Sequence, residues 1–269
     1  MSTASFVTNS ISARRLVRLI ARCWAWDLKH LSASGFFILV ALVQPVIFAT
    51  IAFFMFKVGD RSGTLLYAAL GAGMMGIWSA TLFGSGGLIQ WERWQGTLEL
   101  LIGAPVPFVL VLIPATLATS SVGVYSITAT LFWGWTVFDI PFELVHPLAF
   151  FISVPVTILG LGLMGLLLAS TFVLYRHANA MSNLLEYPVW LVSGLLVPVT
   201  LLPSWVEPLG YILAPSWGIK AVRAAALGGD PWPPMAMTIL LGIAYLFLGA
   251  FFLKHFERLA RERATLALT

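Results

Sequence analysis

Four histidines, one cysteine, eleven acids and several close-set glycines are the residues here that could ligate a metal, attack a bond, move a proton or cradle a phosphate. Their spacing denies most of that chemistry. A phosphate-binding loop needs consecutive backbone amides closed by Gly-Lys-Ser or Gly-Lys-Thr. Gly71 and Gly76 have the glycine spacing, but Ile77 and Trp78 follow them, so no ATP site of that kind is expected on this chain. His30, His146, His177 and His255 are far apart and form no His-Glu-x-x-His pair, which predicts no metal site. No serine sits in a Gly-x-Ser-x-Gly turn, and the lone Cys23 has neither a disulfide partner nor an arrangement with a histidine that suggests a nucleophile. Catalysis by this polypeptide is therefore not expected.

Two polar features survive that elimination. The first is the run from Trp91 to Pro105, which contains Glu92, Arg93, Gln95, Gly96, Thr97 and Glu99. It is too rich in acids and helix formers for a simple turn. A short helix starting at Gly96 or Thr97 would place Glu99 in its first turn, where the helix dipole favours an acid, and Pro105 would end it. The second is Glu186, the acid closest to an apolar run, placed at the start of one, where it would be solvated, pair with Arg176 or line a path. Proton-coupled carriers often hold acids at the bilayer midplane, and their scarcity here argues for an energy source outside the chain.

The elements that must position these residues are set by the solvent. Of 269 residues, 59% are apolar and 10% charged, with a mean hydropathy of +0.94, against about a quarter charged in soluble domains. An all-α membrane protein of one domain, 1–269, is the expectation. Six uncharged runs are long enough to span: 36–56, 65–89, 107–138, 148–175, 187–202 and 235–253. None alternates as a barrel strand would. The third run contains Pro114, which suggests tilt or a kink. Six spans put eleven Lys and Arg on the side of the termini and four on the other, so both termini and the 91–105 loop are expected in the cytoplasm. The basic residues cluster at the chain ends, which signals orientation rather than a nucleic-acid footprint. Residues 1–35 lack a cleavage pattern, and no signal peptide is expected.

Ahead of the first span, residues 11–30 carry Arg14, Arg18 and Arg22 at four-residue intervals, with Leu16, Leu19, Ile20 and Trp24 largely on other faces. Such a helix would lie in the headgroup layer over anionic lipid. The segment 203–234 is punctuated by six prolines with Trp205, Trp217 and Trp232 among them, which predicts short helices re-entering the outer leaflet. Glycines at 71, 73, 76, 84, 86, 87, 160, 162 and 165 fall within spans and predict close helix packing.

With these elements in place, the loop resembles the signature of the ABC-2 family of ABC-transporter permeases: an acidic-basic pair at Glu92 and Arg93, then Gly96-Thr97-Leu98-Glu99, two apolar residues and a later Pro105. Pro215-Ser216-Trp217, Ala221-Val222-Arg223 and Gly228-Gly229 are similar to the stretch such permeases carry before their last span. The resemblance covers nearly the whole chain and implies the permease subunit of an ATP-driven exporter, moving an amphipathic drug, lipid or lipid-linked glycan outward. It implies no cofactor on this chain, with ATP and Mg held by a separate ATPase present in two copies, and a second permease chain, identical or sibling. Glu92, Arg93, Gly96, Thr97, Leu98, Glu99 and Pro105 would contact that ATPase, with Leu98, Leu100 and Leu101 exposed as anchors. The path would run between the first, second and fifth spans, with Phe48, Trp78, Glu186 and Trp190 as candidate lining residues. A bacterial inner membrane suits this picture. The rival expectation is a secondary transporter or channel without an ATPase; a lipid-modifying membrane enzyme fits least.

Overall fold

A computed structural model describes residues 13–58, 65–103, 106–141, 143–173 and 178–263, and every long element among them is a helix. Lipid offers a backbone no hydrogen bonds, so apolar runs of this length satisfy themselves by an internal ladder. In chain order the helices are α1 (Ala13–Ala33), α2 (Gly35–Val58), α3 (Leu65–Trp94), α4 (Leu98–Gly103), α5 (Phe108–Phe138), α6 (Pro147–Phe172), α7 (Ala178–Val192), α8 (Glu207–Tyr211), α9 (Ala214–Leu227) and α10 (Trp232–Arg263). Five of them contain stretches long and apolar enough to cross a bilayer, namely Phe37–Phe56, Leu65–Trp94, Phe108–Phe138, Pro147–Phe172 and Trp232–Phe256.

The remaining expected span, 187–202, is not a single helix. Its helix begins earlier, at Ala178, and stops at Val192. Fifteen residues rise about 22 Å, short of a hydrocarbon core of about 30 Å. Pro188 removes one backbone donor inside α7, and Gly194 at φ +75° turns the chain into a left-handed conformation that ends the run. A 3-10 turn at Val199–Leu201 follows. The second span also differs from expectation, because α3 continues to Trp94 and makes Trp91, Glu92 and Arg93 its last turn rather than loop.

α3 is the axis of the bundle, buried along most of its length. Close approach explains its glycines. A Cβ on Gly73 would stand 2.8 Å from the Ile127 Cα of α5, and one on Gly123 of α5 would stand 2.6 Å from the Ile77 Cα of α3. No side chain fits between those backbones, so small residues set the contact distance. Hydroxyls bridge the same interface, with Thr81 donating to the Ser120 oxygen at 2.8 Å. α5 also binds α2, through Ser126 to the Ala41 carbonyl at 2.8 Å and the Trp133 indole to the Thr50 hydroxyl at 2.9 Å. Pro114 is accommodated within a 31-residue α5.

α1 has no buried residue and rests on α5, where the Trp24 indole donates to Ser121 at 3.0 Å and the Tyr125 hydroxyl to Ser32 at 3.2 Å. Of its expected extent, residues 11 and 12 lie outside the described residues. At the far end of α3, α9 buries an alanine-rich face, with Ala221, Ala225 and Ala226 inaccessible. The amides of Val145 and His146, just before α6, donate to the Ala226 and Ala225 carbonyls at the end of α9.

Candidate functional site

The polar loop motif folds as an elbow between α3 and α4. Gly96 adopts φ +71°, a left-handed position that ends α3 at little steric cost to glycine. Its amide returns to the Arg93 carbonyl at 3.1 Å and that of Thr97 to the Glu92 carbonyl at 2.9 Å. Thr97 stands at the start of α4, its carbonyl accepting from the Leu101 amide at 3.0 Å, while its hydroxyl donates to the Glu92 carboxylate. Arg93 reaches across to the Val173 carbonyl at 2.7 Å, where α6 ends and carbonyls lack helical partners. Glu92, Arg93, Gly96 and Thr97 are thus brought together, and the bonds of Glu92, Arg93 and Thr97 hold the elbow to itself and to α6.

An apolar anchor fixes the same elbow. Leu98 is 5% exposed and belongs to a cluster with Ile89 of α3, Phe108 of α5, Leu166 of α6 and Leu253 of α10. Leu101 packs against that cluster. The expectation that Leu98, Leu100 and Leu101 are all exposed is therefore corrected. Helical spacing turns Leu98 and Leu101 to one side, and only Leu100, 73% exposed, points outward. Trp91 and Trp94, in the last turn of α3, are exposed as well, ring centroids 6.4 Å apart. Pro105 and the side chain of Glu99 lie outside the described residues.

A second polar feature lies within the bundle. Glu186, 3% exposed, is not at the start of a helix but eight residues into α7. Ser79, halfway along α3, donates to its carboxylate at 2.6 Å, and Gln44 of α2 approaches the same oxygen at 3.5 Å. Arg176, the expected partner, lies outside the described residues. Trp190, one turn along α7, meets Phe48 of α2 and Tyr187 edge to face, each at 5.0 Å between centroids. Trp78 is fully buried in the core, and neither its indole N–H nor that of Trp190 has a hydrogen-bond partner among the described residues. Phe48, Glu186 and Trp190 thus gather where α2, α3 and α7 meet, with Trp78 on the core side. Gln44 and Ser79 were missed at the level of sequence; a lone polar residue inside an apolar run was their signal.

At the end of α3 opposite the elbow, Arg223 of α9 fastens the break after α7. Its guanidinium donates to the carbonyls of Gly194 at 2.7 Å, Leu195 at 3.0 Å and Tyr67 at 3.4 Å, and lies 3.4 Å from the centre of the Tyr67 ring. These partners are carbonyls and an aromatic face, which share the positive charge without a carboxylate among the described residues. Loss of water lowers its pKa to about 10, which leaves it cationic at neutral pH.

Among the described residues no group of three His, Cys, Asp or Glu side chains could hold a metal ion. No individual curated protein matches the chain. A family model described as ABC-2 type transporter matches residues 18–227, from within α1 to the end of α9, and takes in the elbow, the Glu186 junction and Arg223. With long apolar helices built to cross a bilayer and a match over most of its length, the chain is an integral membrane protein that belongs to the ABC-2 type transporter family of permeases.

Proposed function

We propose that the chain is the membrane subunit of an ATP-driven exporter, driven through its α3–α4 elbow by a separate ATPase that binds ATP and Mg. One observation carries this: α4 is exposed on one side, through Leu100, and anchored on the other, through Leu98, to a cluster that joins α3, α5, α6 and α10. Closure of two ATPase subunits around ATP is a rigid-body motion. A short helix tied to four long ones passes such a motion to the bundle, whereas a loose loop absorbs it. Leu100, Trp91 and Trp94 supply apolar contact, and Glu99 a charge for a basic partner. Glu92, Arg93, Gly96 and Thr97 act within the elbow, holding its angle.

Two permease chains and two ATPases form the transporter in this proposal. α7 and the irregular stretch to residue 202 complete a sixth crossing, α1 is the interfacial helix, and α8 and α9 re-enter from the outer side. Both termini face the cytoplasm, by the balance of basic residues, in a membrane such as the bacterial inner membrane. The path runs beside the junction of α2, α3 and α7, with Phe48, Trp190 and Glu186 nearest to it and Trp78 bracing it from the core. An amphipathic drug, lipid or lipid-linked glycan fits an aromatic junction holding one carboxyl group.

The test is co-purification together with uncoupling. Tagged protein should bring down an ATPase with a phosphate-binding loop, and Glu99→Lys should leave ATP hydrolysis running while transport stops. Full transport by Glu99→Lys, or no ATPase in the complex, would overturn the proposal. Glu186 at mid-bundle favours one second reading, a carrier that needs no ATPase. Transport by the purified chain without nucleotide, lost in Glu186→Gln, would support it instead.

A further inference from the structure

A long apolar groove lies on the side of the bundle away from the Glu186 junction. It has a volume of about 1170 Å³ and is walled by α5 and α6, with α1 across one end. Trp24, Leu28, Val124, Phe132, Trp135 and Phe151 mark its course. From Ser121, beneath α1, to Trp135 the α5 wall runs about 21 Å, enough for an acyl chain crossing one leaflet of about 15 Å.

The end beneath α1 is where polar groups collect. There the Trp24 indole bonds to Ser121 and the Tyr125 hydroxyl to Ser32. Val17, Ala21, Trp24 and Leu28 line the groove from α1 at helical spacing. At about 100° per residue, Arg14, Arg18 and Lys29 fall on the flank adjoining that stripe, and all three are exposed. Asp27 sits about half a turn away from Arg18, on the face toward the bundle, where burial raises its carboxyl pKa. It does not cancel the basic flank.

We infer that this groove binds one anionic phospholipid of the leaflet on which α1 lies, its phosphate between Arg14 and Arg18, about 6 Å apart along α1, with Lys29 adding attraction further along the same flank and an acyl chain along α5 and α6. Charge chooses this occupant. A second copy of the chain would bring two basic flanks together, and a zwitterionic lipid would leave them without a counterion. The bound lipid holds α1 against α5, an attachment otherwise made without buried side chains on α1.

Native mass spectrometry of the full chain in detergent, with phosphatidylglycerol or phosphatidylcholine of identical chains added, tests the inference. Wild type should retain one phosphatidylglycerol with about tenfold preference. The triple variant Arg14→Glu, Arg18→Glu, Lys29→Glu should bind both lipids equally, whereas Lys254→Glu, an exposed base elsewhere, should keep the preference. Thr128→Trp and, separately, Leu159→Trp, which plug the groove from α5 and from α6, should lose both lipids. Unchanged preference in the triple variant, or lipid retained by both plugged variants, would overturn it. So would a co-purified molecule other than a phospholipid in the groove, or a second copy cross-linked through Phe132.

Discussion

The two ends of α3 are fastened in opposite ways. At the elbow the fastening is redundant: a glycine-ended helix, a threonine at the start of the next, an arginine on the last carbonyl of α6, and a buried leucine shared among four helices. At the other end α9 packs an apolar face on the top of α3, and the polar clasp among the described residues is one cation, Arg223, which bridges the carbonyls after the α7 break to Tyr67. Redundant local bonds make a lever that keeps its shape under load. A single charged clasp on irregular backbone makes a joint that can open as a unit. Under the proposed coupling role this contrast has a use, since a permease driven from outside must be stiff where force enters and yielding where a path opens.

Substitutions that split the two ends sharpen the contrast. Arg223→Met should have the largest effect on stability, about 4 kcal/mol, because three carbonyls lose charge-assisted bonds. A lowered thermal midpoint in detergent would report it. Arg223→Lys should recover less than half, since an ammonium cannot span the same three acceptors. Leu98→Ala should cost about 3 kcal/mol locally, and its mark should be on coupling: hydrolysis continues while transport falls at least about tenfold. If it lowers transport and hydrolysis alike, the elbow is only a structural corner. Gly96→Ala should strain the turn by about 1–2 kcal/mol at φ +71°, seen as a lower ratio of transport to hydrolysis. Thr97→Val should be mildest, about 1 kcal/mol, because the backbone bonds of the elbow persist without its hydroxyl. Equal melting losses in the Leu98 and Arg223 variants would break the contrast.

Which parts of this were legible in the sequence follows from the range of the forces involved. Hydropathy along the chain located α2, α3, α5, α6 and α10 because burial in lipid is decided by each run separately. The elbow turn was legible too, since Gly96 and Thr97 act on their immediate neighbours. The same hydropathy hid the end of α7: the run 187–202 is apolar throughout, and its termination depends on Gly194, a backbone matter to which hydropathy is blind. Leu98 looked like one of three similar leucines, and only the packing of α3, α5, α6 and α10 around it shows why it is buried. Arg223 entered the charge count as a loop base and the family-like stretch as one of its residues, and neither showed its partners, residues 67, 194 and 195. Glu186 likewise required Ser79 and Gln44 to be brought alongside.

The central claim is that force enters at the elbow, and a photo-crosslinker tests it most directly when placed at position 100 of α4 and at position 148 of α6. Both side chains are exposed, Leu100 at 73% and Leu148 at 80%, and they lie at opposite ends of the bundle. In native membranes, position 100 should capture a protein carrying a phosphate-binding loop, with a yield that changes when ATP is added, and position 148 should not. Capture of that protein at position 148, or of lipid alone at position 100 in a transport-competent membrane, would contradict the account.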